Sequence, residues 1–397
     1  MASPLVTRMS GIGTSIFTEM TQRAMAFDTV NLGQGFPDSD TPLVIKEVAI
    51  KAIHDGVNQY PPARGMPILR EAVAAHQGRF YGLAVDPQTQ VLVTVGATEA
   101  LATAVLALVE PGEEVVTFDP TYDAYPAAIA LAGAIHRSVP LSFPDHAFDP
   151  EHLAAAVTSR TRMIILNNPH NPTGKVFTAV ELEHIADIAR RNDIIVASDE
   201  VYEHLVFDSL VHTPIASLPG MAERTLTISS GGKTFSATGW KVGWVHGPSG
   251  LIDAIAAVKQ FVTFAGSAAF QPAIAFGLGL PDAFFDDLAS NLQRRRDLLV
   301  GSLRALDLAV APTQGTYFVV ADVRNLGVSD ATQWCRDLPE TAGLAAIPVA
   351  AFCADAGLAP TLVRFAFCKD DAVLHEGVRR LEVLGEAARS ASGPVAP

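Results

Sequence analysis

Short apolar runs alternate with amphipathic segments from about residue 45 to residue 285. Val91-Leu92-Val93-Thr94-Val95 is β-branched and stops at Gly96, and residues 98–109 then read as a helix closed by Glu110-Pro111-Gly112. Further apolar runs cover residues 114–118, 163–166, 194–197 and 225–228, and each ends in polar or turn-forming residues. Residues 178–192 place Leu182, Ile185, Ile188 and Ala189 at helical spacing. Continuous apolar strands separated by amphipathic helices predict an α/β fold with a mostly parallel sheet covered on both faces. After residue 290 the pattern changes. Helical periodicity over 291–306, short strands near 317–321 and 362–367, and a last helix through 381 predict a smaller α+β unit. The division expected is an N-terminal arm (1–45) joining that unit, a large domain (46–285) and a small C-terminal domain (286–397). Residues 390–397 are expected to fray.

In an open parallel sheet, ligands bind beyond the carboxyl ends of the strands. The unusual residues cluster at those ends. Gly96-Ala97-Thr98 follows a strand and opens a helix, where backbone N–H groups and the helix dipole favour an anion. Tyr122 lies just past the next strand, as core packing or as a ring on which a planar heterocycle stacks. Asn167-Asn168-Pro169-His170-Asn171-Pro172-Thr173-Gly174 has two X-Pro steps and a glycine directly after a buried strand. Such a loop holds Asn171 rigidly with an amide free to donate. Asp199 ends a hydrophobic strand, either as a helix N-cap or as a carboxylate that requires a cationic partner. Ser229-Ser230-Gly231-Gly232-Lys233 places a lysine among small residues, with a second cation, Lys241, eight positions on. A lysine amine condenses with an aldehyde to a Schiff base. Pyridoxal phosphate is the common aldehyde so held, and its phosphate needs a cation too. Arg364 sits in the apolar run Leu362-Val363-Arg364-Phe365-Ala366-Phe367. Its fork suits the carboxylate of an α-amino acid, or an internal Asp or Glu.

Composition narrows the classes. The chain has 397 residues, is 49% apolar, and carries a net charge of −14. The size suits two domains, and the acidic balance argues against a nucleic-acid surface. The three cysteines, Cys335, Cys353 and Cys368, show no metal-ligand spacing and read as reduced thiols of a cytoplasmic protein, so no metal is expected. Residues 1–10 carry no signal-peptide pattern. The long uncharged run 260–281 contains Thr, Ser, Gln, Pro and Gly, and is expected to be buried helix and loop, not a membrane span. A nicotinamide dehydrogenase is disfavoured because no GxGxxG opens a helix after a strand.

Taken together, these residues resemble the class I, fold-type I aminotransferases. The resemblance runs from Asn31-Leu32-Gly33-Gln34-Gly35-Phe36-Pro37-Asp38 through the Asn-Pro loop, Asp199 with Tyr202, and the Lys233 segment to Arg364. Within the class the chain resembles the kynurenine, glutamine and methionine aminotransferases, and above all the N-succinyl-L,L-diaminopimelate aminotransferases of bacterial lysine synthesis. Asn58-Gln59-Tyr60-Pro61-Pro62, Val95-Gly96-Ala97-Thr98-Glu99-Ala100 and residues 346–353 carry this likeness. The resemblance implies a seven-stranded, mostly parallel sheet between helices in the large domain. It implies that Lys233 binds pyridoxal phosphate covalently, that Asp199 keeps the ring nitrogen protonated, and that Asn171 and Tyr202 contact the ring hydroxyl. Tyr122 would stack on the ring. Ala97, Thr98, Ser230 and Lys241 would bind the phosphate, with Tyr60 reaching it from the partner of a homodimer. Gly35, Asn171 and Arg364 would hold the substrate carboxylate. Lys241 departs from the Arg found in many class members: the charge is kept and the fork is lost. The implied activity is ping-pong transamination between an amino acid and a 2-oxo acid, with glutamate and 2-oxoglutarate as one pair. The alternatives are kynurenine, glutamine or methionine transamination and cysteine-conjugate β-lysis. A cofactor-sensing regulator would need a DNA-binding extension and is disfavoured.

Overall fold

The computed structural model describes residues 5–10, 13, 15–27 and 29–391. Residues 392–397, most of the stretch expected to fray, lie outside it. Two short strands come from distant parts of the chain: β1 (Val30–Asn31) runs parallel to β12 (Leu344–Ala345). The N-terminal helix α1 (Ile16–Ala26) packs beside them. Ser15 caps α1 by accepting from the Phe17 N–H.

The main sheet is built from β2 (Val91–Thr94), β3 (Glu114–Asp119), β4 (Ile135–Ser142), β5 (Ala147–Phe148), β6 (Thr161–Asn167), β7 (Ile195–Asp199), β8 (Thr225–Ser230) and β9 (Gly243–His246). Their order in space is β2-β9-β8-β7-β6-β3-β4-β5. Strands β8, β7, β6, β3 and β4 are mutually parallel, and β9 runs against both β2 and β8. The expected count of seven is therefore raised to eight by β5, a two-residue strand paired antiparallel to the end of β4. The predicted strands are present within a few residues at each end. Three strands of this sheet had no local signal, β5 being only two residues long. In β4, polar residues alternate along a strand near the sheet edge and Pro140 interrupts it. In β9 the run is only four residues long and begins with glycine.

Every residue of β2, β3, β7, β8 and β9 is buried, which explains the apolar runs read at the first four. One face is covered by α4 (Gly96–Leu108) and the helix Ser249–Val262, sharing a core of Leu101, Val105, Ile165, Ile228 and Ile255. The other face is covered by the helix Ala179–Arg191, which turns Leu182, Ile185 and Ala189 onto Ile164 and Val196, while Ile188 is half-buried. Thr178 and Glu181 close a capping box at its start. The helices α2 (Leu43–His54) and α3 (Pro67–Tyr81) pack with Gln271–Leu278 on a third cluster around Trp244.

A second sheet, ordered β10 (Ala309–Val310), β11 (Phe318–Asp322), β14 (Leu362–Ala366) and β13 (Ile347–Pro348), is antiparallel throughout. It buries Val319, Ala321, Val363 and Phe365 against the helices Asp282–Ala305 and Asp371–Ala391. The uncharged run 260–281 is only partly buried. Gln271, Ala273 and Ile274 are in the core, whereas Phe261, Val262 and Phe264 are exposed. Among the described residues no helix is long and apolar enough to cross a membrane.

Candidate active site

Six segments meet at one edge of the main sheet: the loops after β2, β3, β6, β7 and β8, and the start of the antiparallel β9. Neighbouring strands are about 4.8 Å apart, so these ends place their residues in a row. Together with the N-terminal segment and the second sheet they line a cavity of about 370 Å3. Gly35, Ala97, Thr98, Tyr122, Asn171, Asp199, Tyr202, Ser230, Lys233, Lys241 and Arg364 all face it. Tyr60 does not; its side chain is 79% exposed and its ring meets Phe264 edge-on at 5.5 Å.

The β2, β9 and β8 end of the row suits an anion. Helix α4 starts at Gly96 with no side-chain cap, which leaves its first N–H groups for a ligand. Gly96 has φ of +75°, and a Cβ built there would lie 3.2 Å from Lys241 Nζ. Gly243 is equally constrained, since a Cβ would meet the Gly96 carbonyl carbon at 2.5 Å. The two glycines let β9 press Lys241 against the helix start. Ser230 ends β8 on the same side.

Asp199 lies one strand further along. Its Oδ2 accepts from the Tyr125 hydroxyl at 2.7 Å, and its Oδ1 lies 3.3 Å from the Val201 N–H. No helix of the fold begins at Asp199, so the N-cap reading fails. Burial raises its carboxyl to about 6, against the pull of Tyr125, Val201 and Lys233. A buried carboxylate in this state is completed by a cation.

Lys233 is half-buried on the short helix Gly231–Thr234, with Nζ 3.4 Å from the Gly35 carbonyl. Burial pulls its amine down to about 8, and Cys368 and Asp199 oppose that shift. A substantial neutral fraction therefore exists near pH 8, unlike an ordinary lysine. Tyr202 is buried edge-on to Tyr317, with ring centroids 5.3 Å apart.

At the β6 end, Asn167 organises the loop. Its Oδ1 accepts from the Asn171 N–H at 2.7 Å and its Nδ2 donates to the Asp199 carbonyl at 2.9 Å. Arg364 Nη1 donates to Asn171 Oδ1 at 2.9 Å, leaving the Asn171 NH2 free to donate, and Arg364 Nη2 donates to the Gly33 carbonyl at 2.9 Å. The guanidinium lies 3.9 Å from the Phe318 ring centroid and 4.9 and 5.1 Å from those of Phe352 and Phe17. Burial lowers it to about 10, which keeps it cationic at neutral pH. Arg364 Nε has no hydrogen-bond partner and no carboxylate is ion-paired with the group among the described residues. The internal salt bridge is thus absent, and a ligand carboxylate fits.

Several contributors were silent in the sequence. Tyr125 is three residues from Tyr122 in the same run, and only the position of β7 reveals that it serves Asp199. Tyr317 donates to the Gly35 carbonyl at 2.6 Å from 282 residues away. Phe17 comes from α1, which has no local mark of a ligand site.

The residues present fit pyridoxal phosphate: an uncapped helix start beside a cation, a low-pKa lysine, and an unpaired buried carboxylate share one cavity. Residues 28–381 match the family model for aminotransferases of class I and II. The chain is 50% identical over 392 residues to a probable N-succinyldiaminopimelate aminotransferase of Mycobacterium tuberculosis, covering 96% of this chain and 98% of that protein. The solved structure of the N-succinyldiaminopimelate aminotransferase from that organism superposes with a TM-score of 0.93 at 51% identity, over 96% of this chain and all of the other. A methionine aminotransferase of Escherichia coli is 38% identical over 384 residues, covering 96% and 99% of the two chains.

Two outcomes follow from the electrostatics. Lys233 attacks an aldehyde only as the neutral amine, so uptake of pyridoxal phosphate by the cofactor-free protein should accelerate with pH through a midpoint near 8. Stopped-flow absorbance would record it, and a midpoint above 10 would contradict the buried-amine account. Tyr125→Phe removes a hydrogen bond to a carboxylate, typically ~1.5–3 kcal/mol. The acid limb of cofactor retention should move up by about one to two pH units. An unchanged limb would show that Tyr125 does not stabilise the anion.

Proposed function

The chain belongs to the class I and II aminotransferases, and we propose that it exchanges an amino group between N-succinyl-L,L-diaminopimelate and 2-oxoglutarate in lysine biosynthesis. The observation that carries the substrate is the identity of 50% over nearly the whole of both chains, against 38% for the methionine enzyme. The enzyme uses pyridoxal phosphate, which supplies an aldehyde for amines to condense with and a ring that takes up the electron pair left by the departing Cα proton.

The residues divide the remaining tasks. The start of α4, with Ala97 and Thr98, grips the phosphate together with Ser230 and Lys241. Tyr122 packs against the ring and Tyr202 and Asn171 orient its hydroxyl. Asp199, with Oδ2 occupied by Tyr125, keeps the proton on the ring nitrogen. Arg364 and the Asn171 amide, with Gly35 at the cavity wall, hold the substrate carboxylate. That orientation turns the Cα–H toward Lys233, whose neutral amine takes the proton and later returns it. The phenyl rings of Phe17, Phe318 and Phe352 around Arg364 keep water from the carboxylate site and strengthen the ion pair.

We further propose a homodimer in which Tyr60 reaches the partner's phosphate site. In support, Tyr60, Phe264, Phe261, Val262, Leu43, Val44 and Ile53 are exposed on one chain. A surface so rich in apolar groups is commonly covered by another chain. The buried free thiols of Cys335 and Cys368 suit a cytoplasmic enzyme.

The cofactor-loaded enzyme mixed with single donors tests the reading. Succinyl-diaminopimelate and glutamate should bleach the bound-cofactor absorbance fast, with methionine, kynurenine and glutamine at least ~10-fold slower. A preference for methionine or kynurenine would reassign the substrate, and pyruvate release from cysteine conjugates would reveal β-lysis. Lys233→Ala should still bind cofactor through its phosphate, with turnover lower by at least ~10^2–10^4; near-normal turnover would remove Lys233 from its role. Light scattering should give twice the chain mass, and Tyr60→Ala should loosen the cofactor; an active monomer would contradict the dimer.

A further inference from the structure

A second group of titratable residues is buried on the α3 side of the segment that follows β7, and the proposed reaction uses none of it. His76 on α3 and His204 meet with their Nε2 atoms 2.7 Å apart. Glu203 joins them, and the ligating atoms of all three lie within 4.8 Å of one another. His76 is 2% exposed and Glu203 5%.

Two features point to a missing ligand. Glu203 Oε1 accepts from the Ser229 hydroxyl at 2.8 Å, but Oε2 has no hydrogen-bond partner, although the Tyr81 hydroxyl faces the same carboxylate. A buried carboxylate oxygen left so is costly. Gln77, fully buried, has its Nε2 3.5 Å from His76 Nδ1 while its Oε1 lacks any partner. Turning that amide over lets Oε1 accept from His76 Nδ1–H, which fixes the tautomer whose Nε2 lone pair is free. Glu200 lies nearby, bonded to His212 Nε2 at 2.9 Å, and the neighbouring cation Arg79 is paired with Asp282.

We propose that His76 Nε2, His204 Nε2 and Glu203 Oε2 bind a divalent transition metal, zinc by preference, with a water in the fourth position. Two imidazoles and one carboxylate are a zinc ligand set, and bonds of about 2.0–2.2 Å need only small side-chain movements from the observed spacing. The Gln77 amide is the positioning group for His76. The ion ties α3 to the turn after β7 and, through Ser229, to β8, so it braces the strand ends that carry Asp199 and Ser230. It takes no part in proton transfer.

The test uses the cofactor-loaded enzyme, free of any histidine tag. After exposure to zinc and exhaustive dialysis, elemental analysis should give about one zinc per chain. Replacement by cobalt should give the visible bands of a four-coordinate site, at longer wavelength than the cofactor absorbs. His76→Gln and Glu203→Gln should each abolish stoichiometric retention, and Gln77→Ala should weaken the metal about 10–100-fold. Well under one zinc per chain, or one zinc retained equally by His76→Gln, would overturn the proposal. If the variants do not fold, the cobalt spectrum of the unmodified enzyme decides, and the absence of four-coordinate bands overturns it.

Discussion

The structure depends on one buried carboxylate. Asp199 ends β7 in the middle of the main sheet, where water is excluded and an anion is disfavoured. The rise from an ordinary carboxyl to about 6 corresponds to ~3 kcal/mol against the charged form. That penalty remains after the Tyr125 hydroxyl and the Val201 N–H have stabilised the anion, and in the proposed function a cationic ring nitrogen would offset it. The protein thus holds an unmet electrostatic demand that the proposed placement of the cofactor would satisfy. The same pairing would keep the ring a good acceptor of electrons.

The remaining groups are placed by topology. Parallel strands carry their loops to one edge, so five strand ends and the start of β9 open on the same cavity. Order along that edge separates function: cations and free N–H groups at β2, β9 and β8, the carboxylate at β7, and Asn171 with Arg364 beyond. The second sheet contributes Arg364 and the N-terminal segment contributes Gly35, which accepts from both Tyr317 and Lys233. Contacts between the two sheets therefore set the geometry of the substrate site.

Much of this was legible because chemistry had left local marks. A lysine among glycines, a carboxylate ending an apolar run, two X-Pro steps after a strand and an arginine inside a strand are each unusual where they stand. Their meeting at one cavity follows from the strand alternation. What could not be read depended on tertiary placement. Tyr125 acquires its partner only when β3 and β7 are set two places apart in the sheet. Tyr317 and Phe17 look like core residues in the sequence, and become site residues through contacts hundreds of residues long. Strands β4, β5 and β9 carry too little pattern to read: polar residues and a proline interrupt β4, β5 is two residues long, and β9 is a short run that begins with glycine and ends in histidine. The His76, Glu203 and His204 group has no motif spacing, since α3 supplies one member and the turn after β7 the other two.

The claim that Asp199 fixes the protonation of the cofactor ring is tested most directly by nitrogen-15 magnetic resonance of the enzyme loaded with cofactor labelled at the ring nitrogen. The account predicts a pyridinium signal that persists well above neutral pH in the unmodified enzyme and is replaced by that of a neutral pyridine in Asp199→Ala. A neutral ring nitrogen in the unmodified enzyme at pH 7 would contradict it.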